Sequence, residues 1–255
     1  SVVELVVLLM IGLKPETNGI KDMDNFLFDV DGTLTAARQP MDKEFLEFFL
    51  GWVLEKRNQG HRVLLVTGSD HDKTVEQIGK TLWLTVTGSY QNCGNALYVE
   101  GKKAWESKWQ MGSDLETDVL DLIARSKWYG TAKNNIEKRT GMVNISTIGR
   151  SCSHEQRREY YEWDLENKER INIVNILSHK YNNIDLAIGG EISIDIYEKG
   201  KDKSQVIDRI SGNNIFFGDK CFQGGNDHKI ALKSDRYHHV DGWQETKDIL
   251  EKFYG

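Results

Sequence analysis

Residues 29–35 read Asp-Val-Asp-Gly-Thr-Leu-Thr and follow directly on the apolar run Phe26-Leu27-Phe28. A short apolar run that breaks into acids and a glycine predicts a buried parallel strand ending in a polar turn, and ligands of open α/β sheets gather at that carboxyl end. Two acids at such a place need a reason. Asp29 can attack phosphorus and carry the group as an aspartyl phosphate. Asp31, two residues on, can protonate a leaving alkoxide or take the proton of an attacking hydroxyl. Gly32 lets the turn come close to a phosphate, and Thr33 adds a hydroxyl. The same letters also suit a polar turn whose Asp and Gly serve backbone geometry alone, so the reading needs support from the rest of the chain.

Outward from this turn, residues 25–28 and 62–66 are the buried-strand candidates, each followed by glycine and polar residues. Between them, residues 41–56 place Phe45, Phe48, Phe49, Trp52 and Val53 on one helical stripe. Ser69 and Asp70 are candidate caps for a second helix that ends near Leu82. Strand and helix alternate in this way over roughly the first 100 residues, the pattern of βαβ units around a parallel sheet. Beyond Gly101 the alternation is lost. A helix is expected at 114–124, a strand at 142–148, one long charged helix at 153–179, and strands at 184–188 and 192–197. After Lys199 the first texture returns, with a strand at 214–217 running into another glycine-rich turn. The expected fold is α/β, a doubly wound parallel-sheet core of residues 1–98 and 199–255, with an inserted α+β cap of residues 99–198.

The other predicted core strands also end in chemistry. Residues 62–66 run into Thr67, Gly68 and Ser69, a hydroxyl and backbone N–H groups at a helix start, which suits phosphate and also suits an ordinary cap. Residues 214–217 run into Gly-Asp-Lys-Cys-Phe-Gln-Gly-Gly-Asn-Asp, which offers Asp219 and Asp227 as oxygen ligands. Magnesium is held by one or two carboxylates together with phosphate and water, so Asp29 and Asp219, with the carbonyl of Asp31, are a sufficient set. Lys203, just before the last core segment, can neutralise phosphoryl oxygens, although an isolated lysine is more often a solvated surface residue.

Composition narrows the partners. In 255 residues, 33 basic and 39 acidic side chains leave a net charge of −6, which argues against a general nucleic-acid binder. Any phosphate site must be local. Cys93, Cys152 and Cys221 are far apart and form no CxxC pair, so a reducing, cytoplasmic setting is expected, with neither disulfide nor zinc framework. The apolar run 2–13 is interrupted by Glu4 and is too short to span a bilayer. A strand or helix packed on the core is expected there, and no membrane partner.

The strand-end acids, the Thr-Gly-Ser turn, the lysine and the final acidic turn occur in the order found in the haloacid dehalogenase superfamily, which the chain resembles. The segments Asp-Val-Asp-Gly-Thr-Leu-Thr-Ala-Ala-Arg-Gln (29–39), 141–157, 188–204 and 216–230 are similar to the eukaryotic-type phosphomannomutases. That resemblance implies Asp29, Asp31, Thr67 and Lys203 as catalytic residues, and Asp29, Asp31, Asp219 and Asp227 around Mg2+. It also implies a hexose 1,6-bisphosphate as activator, a homodimer through the cap, and Arg38, Arg139, Arg150, Arg157, Ser193 and Asp195 as contacts to a mannose phosphate. The cap makes sense on its own terms, since guanidinium forks match phosphate oxygens. Ser193 and Asp195 share one face of a strand whose isoleucines take the other. Without the resemblance, a solvated sheet face would be the plainer reading.

Departures from the family pattern are local. Ala231, Leu232, Lys233 and Ser234 stand where an acidic loop holds a second, structural metal, so that metal is not expected. Asn92 and Cys93 replace a Glu-Asn pair at the expected hinge into the cap, Lys201 a usual Trp, and Thr147 a usual Pro. Two other functions compete. A sugar-phosphate phosphatase would use the same core motifs with water as acceptor, and a non-catalytic sugar-phosphate binder would have no need of the four core motifs together.

Overall fold

A computed structural model describes residues 23–130 and 133–255. The expectation for residues 2–13 lies outside the described residues. The described chain forms two compact units, one of residues up to 106 with 203–223 and 227–255, the other of residues 107–202 with 224–226.

The core unit is built on a seven-stranded sheet in the order β11-β10-β1-β2-β3-β4-β5. Its strands are β1 (Asp24–Phe28), β2 (Arg62–Val66), β3 (Gly88–Gln91), β4 (Ala96–Val99), β5 (Lys102–Glu106), β10 (Asn213–Gly218) and β11 (Arg236–His239). From β11 to β3 neighbouring strands are parallel, and β4 and β5 add an antiparallel meander. The chain runs one way from β1 to β3 and the other way from β10 to β11. The strand order therefore reverses between β1 and β10, which makes their carboxyl ends a topological switch point.

The apolar residues of β1, Phe26, Leu27 and Phe28, are buried on both faces, as an uninterrupted apolar run requires. Phe26 and Phe28 pack with Phe45, Phe49, Trp52 and Val53 of α1 (Lys43–Asn58), while Leu27 joins Leu64, Val66 and Phe216 on the opposite face. Each such side chain contributes about 1.5–3 kcal/mol by leaving water. Phe28 stacks on Phe217 of β10 at 4.7 Å between ring centroids and meets Phe49 edge-on at 5.1 Å, so the strands that carry the two acidic turns are fixed against each other. Phe48, read on the same stripe, is only partly buried against this core. Of the two expected caps, Asp70 serves α2 (His71–Thr85), accepting from the Lys73 N–H.

The cap unit holds a four-stranded antiparallel sheet in the order β6-β7-β9-β8, with β6 Ile136–Arg139, β7 Met142–Ser146, β8 Ile184–Gly189 and β9 Ser193–Glu198. One face packs Val143, Ile145, Ile194 and Ile196 on Leu115 and Val119 of α3 (Ser113–Ala124) and on Ile173 and Leu177 of α5 (Glu169–Lys180). The long helix expected at 153–179 is two helices, α4 (His154–Asn167) and α5, separated by Lys168 in the left-handed region at φ 58°. The Asn92–Cys93 turn lies between β3 and β4 inside the core sheet and not at a crossing into the cap. Strand β5 likewise belongs to the core sheet, beyond the expected limit at residue 98.

Candidate active site

The Asp29 N–H donates to the Phe217 carbonyl at 2.9 Å, so β1 and β10 stay paired up to the residue that ends β1. That pairing aims the Asp29 side chain into the switch point. Its carboxylate accepts from Lys203 Nζ at 2.7 Å, and the same ammonium reaches Asp227 Oδ1 at 2.7 Å. All three groups are buried. Asp219, which follows β10, completes a set in which Asp29, Asp219 and Asp227 each bring a carboxylate oxygen within 4.8 Å of the others.

This concentration of negative charge has a measurable consequence. Burial raises the Asp29 pKa to about 7, with Lys203 opposing and the Asp227 and Asp219 carboxylates adding to the rise. Burial also raises Asp219, against the pull of Lys220, whose Nζ lies 2.7 Å from Asp219 Oδ2. Burial works against the Lys203 charge, yet Asp227 and Asp29 outweigh it and hold that ammonium firmly protonated. Asp219 Oδ1 is buried without a hydrogen-bond partner. A hard, oxygen-seeking cation would satisfy that oxygen and offset the remaining charge, so the donor set fits magnesium. The side chain of Asp31 stands outside this cluster, leaving its carbonyl as the expected ligand.

Gly32 makes the cluster possible. It adopts φ +84°, and a Cβ there would lie 2.4 Å from Asp219 Oδ2. Its role in the fold is thus to admit Asp219. The Gly32 N–H donates to the Thr35 carbonyl at 2.8 Å, which closes the turn.

Asp31 points into a different network. It accepts from the Arg38 N–H at 2.8 Å, from Gln77 Nε2 at 2.8 Å and from Lys73 Nζ at 3.1 Å. Burial acts against its charge, but the Lys73 ammonium together with the Arg38 and Gln77 donors holds the carboxyl below its usual range. Lys73 and Gln77 escaped the sequence reading. Their signal was present, since they are four residues apart on the helix that starts after the Thr-Gly-Ser turn and so share a face. Thr67 is buried at the end of β2, where its Oγ1 accepts from the Ser69 N–H at 3.0 Å. Arg38 is exposed, with a left-handed backbone at φ 61°.

Within the cap, Arg139 and Arg150 come together on the polar sheet face. Arg139 Nε donates to Glu137 Oε1 at 2.9 Å and Arg150 Nε pairs with Glu137 Oε2. Asp195 accepts from Asn144 Nδ2 at 2.7 Å, and Ser193, two residues earlier on β9, shares its face. Arg157 is buried on α4. Glu137 and Asn144 were not anticipated, because single polar residues on short strands carry no spacing signal.

The chain is similar in fold to an IMP-bound IMP-nucleotidase of Plasmodium falciparum, with a TM-score of 0.59 at 15% identity over 97% of this chain and 70% of that one. A haloacid dehalogenase-like hydrolase from Bacteroides thetaiotaomicron gives 0.55 at 11% identity over 91% and 100%. These likenesses show a shared α/β fold, on which this chain's strand order reverses beside three convergent carboxylates. The sequence places it further. A profile described as eukaryotic phosphomannomutase matches residues 50–255. A phosphomannomutase of Nicotiana benthamiana is 35% identical over 246 residues, covering 90% of this chain and 94% of that protein. Phosphomannomutase 1 of Dictyostelium discoideum is 35% identical over 253 residues, covering 89% and 95%. The chain belongs to the eukaryotic phosphomannomutase family.

Proposed function

We propose that the protein interconverts mannose 6-phosphate and mannose 1-phosphate through an aspartyl phosphate on Asp29 and a hexose 1,6-bisphosphate. The observation that carries this reading is the buried Asp29 carboxylate at the switch point, 2.7 Å from Lys203 Nζ and grouped with Asp219 and Asp227. Mg2+ bound by these carboxylates and by the carbonyl of Asp31 would supply the positive charge that in-line phosphoryl transfer requires.

The steps at the protein follow from the surroundings of each group. Asp31, held ionised by Lys73, Gln77 and Arg38, takes the proton of the sugar hydroxyl as that oxygen bonds to the phosphorus carried by Asp29. The Asp29–phosphorus bond breaks and the 1,6-bisphosphate forms. After the bisphosphate turns around, Asp29 attacks its other phosphorus, and Asp31 returns the proton to the leaving sugar oxygen. Thr67 and Lys203 hold the oxygens of the group in flight. Arg139, Arg150 and Arg157 of the cap bind the phosphate that is not reacting, Arg38 contributes to substrate binding, and Ser193 and Asp195 bind sugar hydroxyls. A hexose 1,6-bisphosphate acts as activator because the resting aspartate must first be charged. The reading includes a homodimer through the cap and a reducing cytoplasm, in keeping with three cysteines that lie far apart in the chain. Among the described residues, no helix is long and apolar enough to cross a membrane.

Phosphorus NMR of mannose 1-phosphate with the protein, Mg2+ and a trace of a hexose 1,6-bisphosphate tests the proposal. Mannose 6-phosphate should accumulate, the bisphosphate should persist at its starting level, and free phosphate should be a minor product. Stoichiometric release of phosphate with no isomer formed would replace the mutase by a sugar-phosphate phosphatase.

A further inference from the structure

Across the cap sheet, Glu137 is the register partner of Asn144, and Asn144 is the register partner of Asp195. Directly opposed residues on neighbouring strands point to one face, so the three side chains stand in a row. Both oxygens of Glu137 are engaged by arginines. Oε1 accepts from Arg139 Nε at 2.9 Å, Oε2 from Arg139 Nη2 at 3.1 Å, and Oε2 also pairs with Arg150 Nε. Arg150 Nη1 donates in turn to Asn144 Oδ1, and Asn144 Nδ2 donates to Asp195 Oδ1 at 2.7 Å. The contacts form one chain, Arg139 to Glu137 to Arg150 to Asn144 to Asp195.

Two guanidinium groups repel each other and carry flexible stems, so without an anion between them they would separate. A single carboxylate that accepts from both removes that tendency, and charge-assisted bonds to a planar fork also fix its orientation. Asn144 extends the control, because its amide has one acceptor and one donor end and both are used. We propose that Glu137 is a positioning residue for sugar-phosphate binding. It holds Arg139 and Arg150 at a fixed separation for a phosphate monoester, and through Arg150 and Asn144 it sets them in register with Asp195, the group that meets sugar hydroxyls. The assignment rests on the sugar-phosphate reading above.

Glu137→Gln keeps the shape but turns one acceptor oxygen into an N–H2 group facing guanidinium donors, so at least one arginine is released. Calorimetric titration of the full chain with mannose 6-phosphate in the presence of Mg2+ reads the consequence. Glu137→Gln should weaken Kd about tenfold, the size of losing one charge-assisted hydrogen bond. Glu137→Asp, which keeps the charge on a shorter stem, should fall between the two. Since Glu137 acts through both arginines, Glu137→Gln combined with Arg150→Ala should weaken binding by less than the product of the two separate losses, the remainder running through Arg139. Phosphorylation of Asp29 by acetyl phosphate should stay near wild type in every variant, which a general loss of structure would not allow. If Glu137→Gln fails to fold, Asn144→Ser, too short to bridge Arg150 and Asp195, should show the same loss and the same non-additivity. A Kd within about twofold of wild type, or losses that multiply in the double variant, overturns the assignment. Wild-type protein that neither binds nor converts a sugar phosphate defeats the functional reading itself and this assignment with it.

Discussion

Asp29 and Asp31 are two residues apart and sit in opposite electrostatic settings. Burial and two neighbouring carboxylates push Asp29 up to about 7, whereas Lys73 and two further donors overcome burial and hold Asp31 low. On the proposed mechanism, environments that drive the two acids apart suit two roles, one to take charge only when a cation or phosphoryl group is present, the other to stand ready as a base. Asp29→Asn should therefore leave no measurable mutase activity, because an amide neither attacks phosphorus nor binds magnesium well. Asp31→Asn should cost about 10²-fold or more in kcat. Retention of more than a few per cent of turnover by Asp29→Asn would end the covalent mechanism. Gly32 lends itself to a sharper test, since its added Cβ would strike Asp219 from a backbone at φ +84°. Gly32→Ala should destabilise the protein by about 1–3 kcal/mol. It should also weaken Mg2+ binding, and unchanged magnesium affinity by calorimetry would show that Asp219 lies outside the metal site.

At the level of elements, the break between α4 and α5 explains a buried ion pair. Arg170 Nε lies 2.7 Å from Asp164 Oδ2, and Arg170 Nη1 reaches the Gly190 carbonyl at 3.0 Å. In one continuous helix, residues six apart would point about 120° away from each other, on different faces. The break at Lys168 turns the chain so that they meet, and Arg170 then ties the turn before β9 to the helices. Lys168 bears the cost of a left-handed residue with a side chain, about 1–2 kcal/mol. Lys168→Gly should relieve it and raise Tm by about 2–4 °C, with mutase kinetics unchanged; a lowered Tm would mean that the Lys168 side chain itself holds the corner. This corner shows where the sequence stops being legible. Asn167-Lys168-Glu169 contains no glycine or proline, and its one weak end signal, Asn167, stands a residue before the left-handed position, so the break and the Asp164–Arg170 contact that goes with it are not legible there. Strands β1, β2 and β10 were readable because burial on both faces leaves uninterrupted apolar runs that stop at polar turns. Strands β6 and β11, Ile-Glu-Lys-Arg and Arg-Tyr-His-His, are short and polar, and only their sheet partners make them strands. The same divide runs through the site. Residues at strand ends were visible from spacing, and Lys73 and Gln77 carried an i,i+4 signal, while Glu137 and Asn144 emerge only when the sheet faces are assembled.

The whole molecule has a charge balance that links metal, proton and stability. With Asp29 and Asp227 sharing Lys203 and Asp219 beside them, burial and these carboxylates keep a proton on Asp29 of the metal-free protein up to about 7, against 3.8 for an unperturbed aspartate. Between those two values the folded state binds more protons than the unfolded state, so stability from this group falls as pH rises through that window and is level above it. A divalent cation competes with that proton. Below about pH 7 magnesium must displace it, and above about pH 7 it meets a carboxylate already charged, so binding should tighten as pH rises. Ligand binding to the folded state alone raises stability as the ratio of ligand to Kd grows. The rise in Tm on adding Mg2+ in place of a chelator should therefore be larger at about pH 8 than at about pH 6. Thermal melts of the same protein at both pH values, with and without Mg2+, measure this directly. In Asp29→Asn the pH difference should largely disappear, because the group that holds the competing proton is gone, while Asp219 and Asp227 still provide a weaker site. A magnesium effect equal at the two pH values in the wild type, or one that keeps its pH dependence in Asp29→Asn, would place the competing proton on another group and detach Asp29 from the metal.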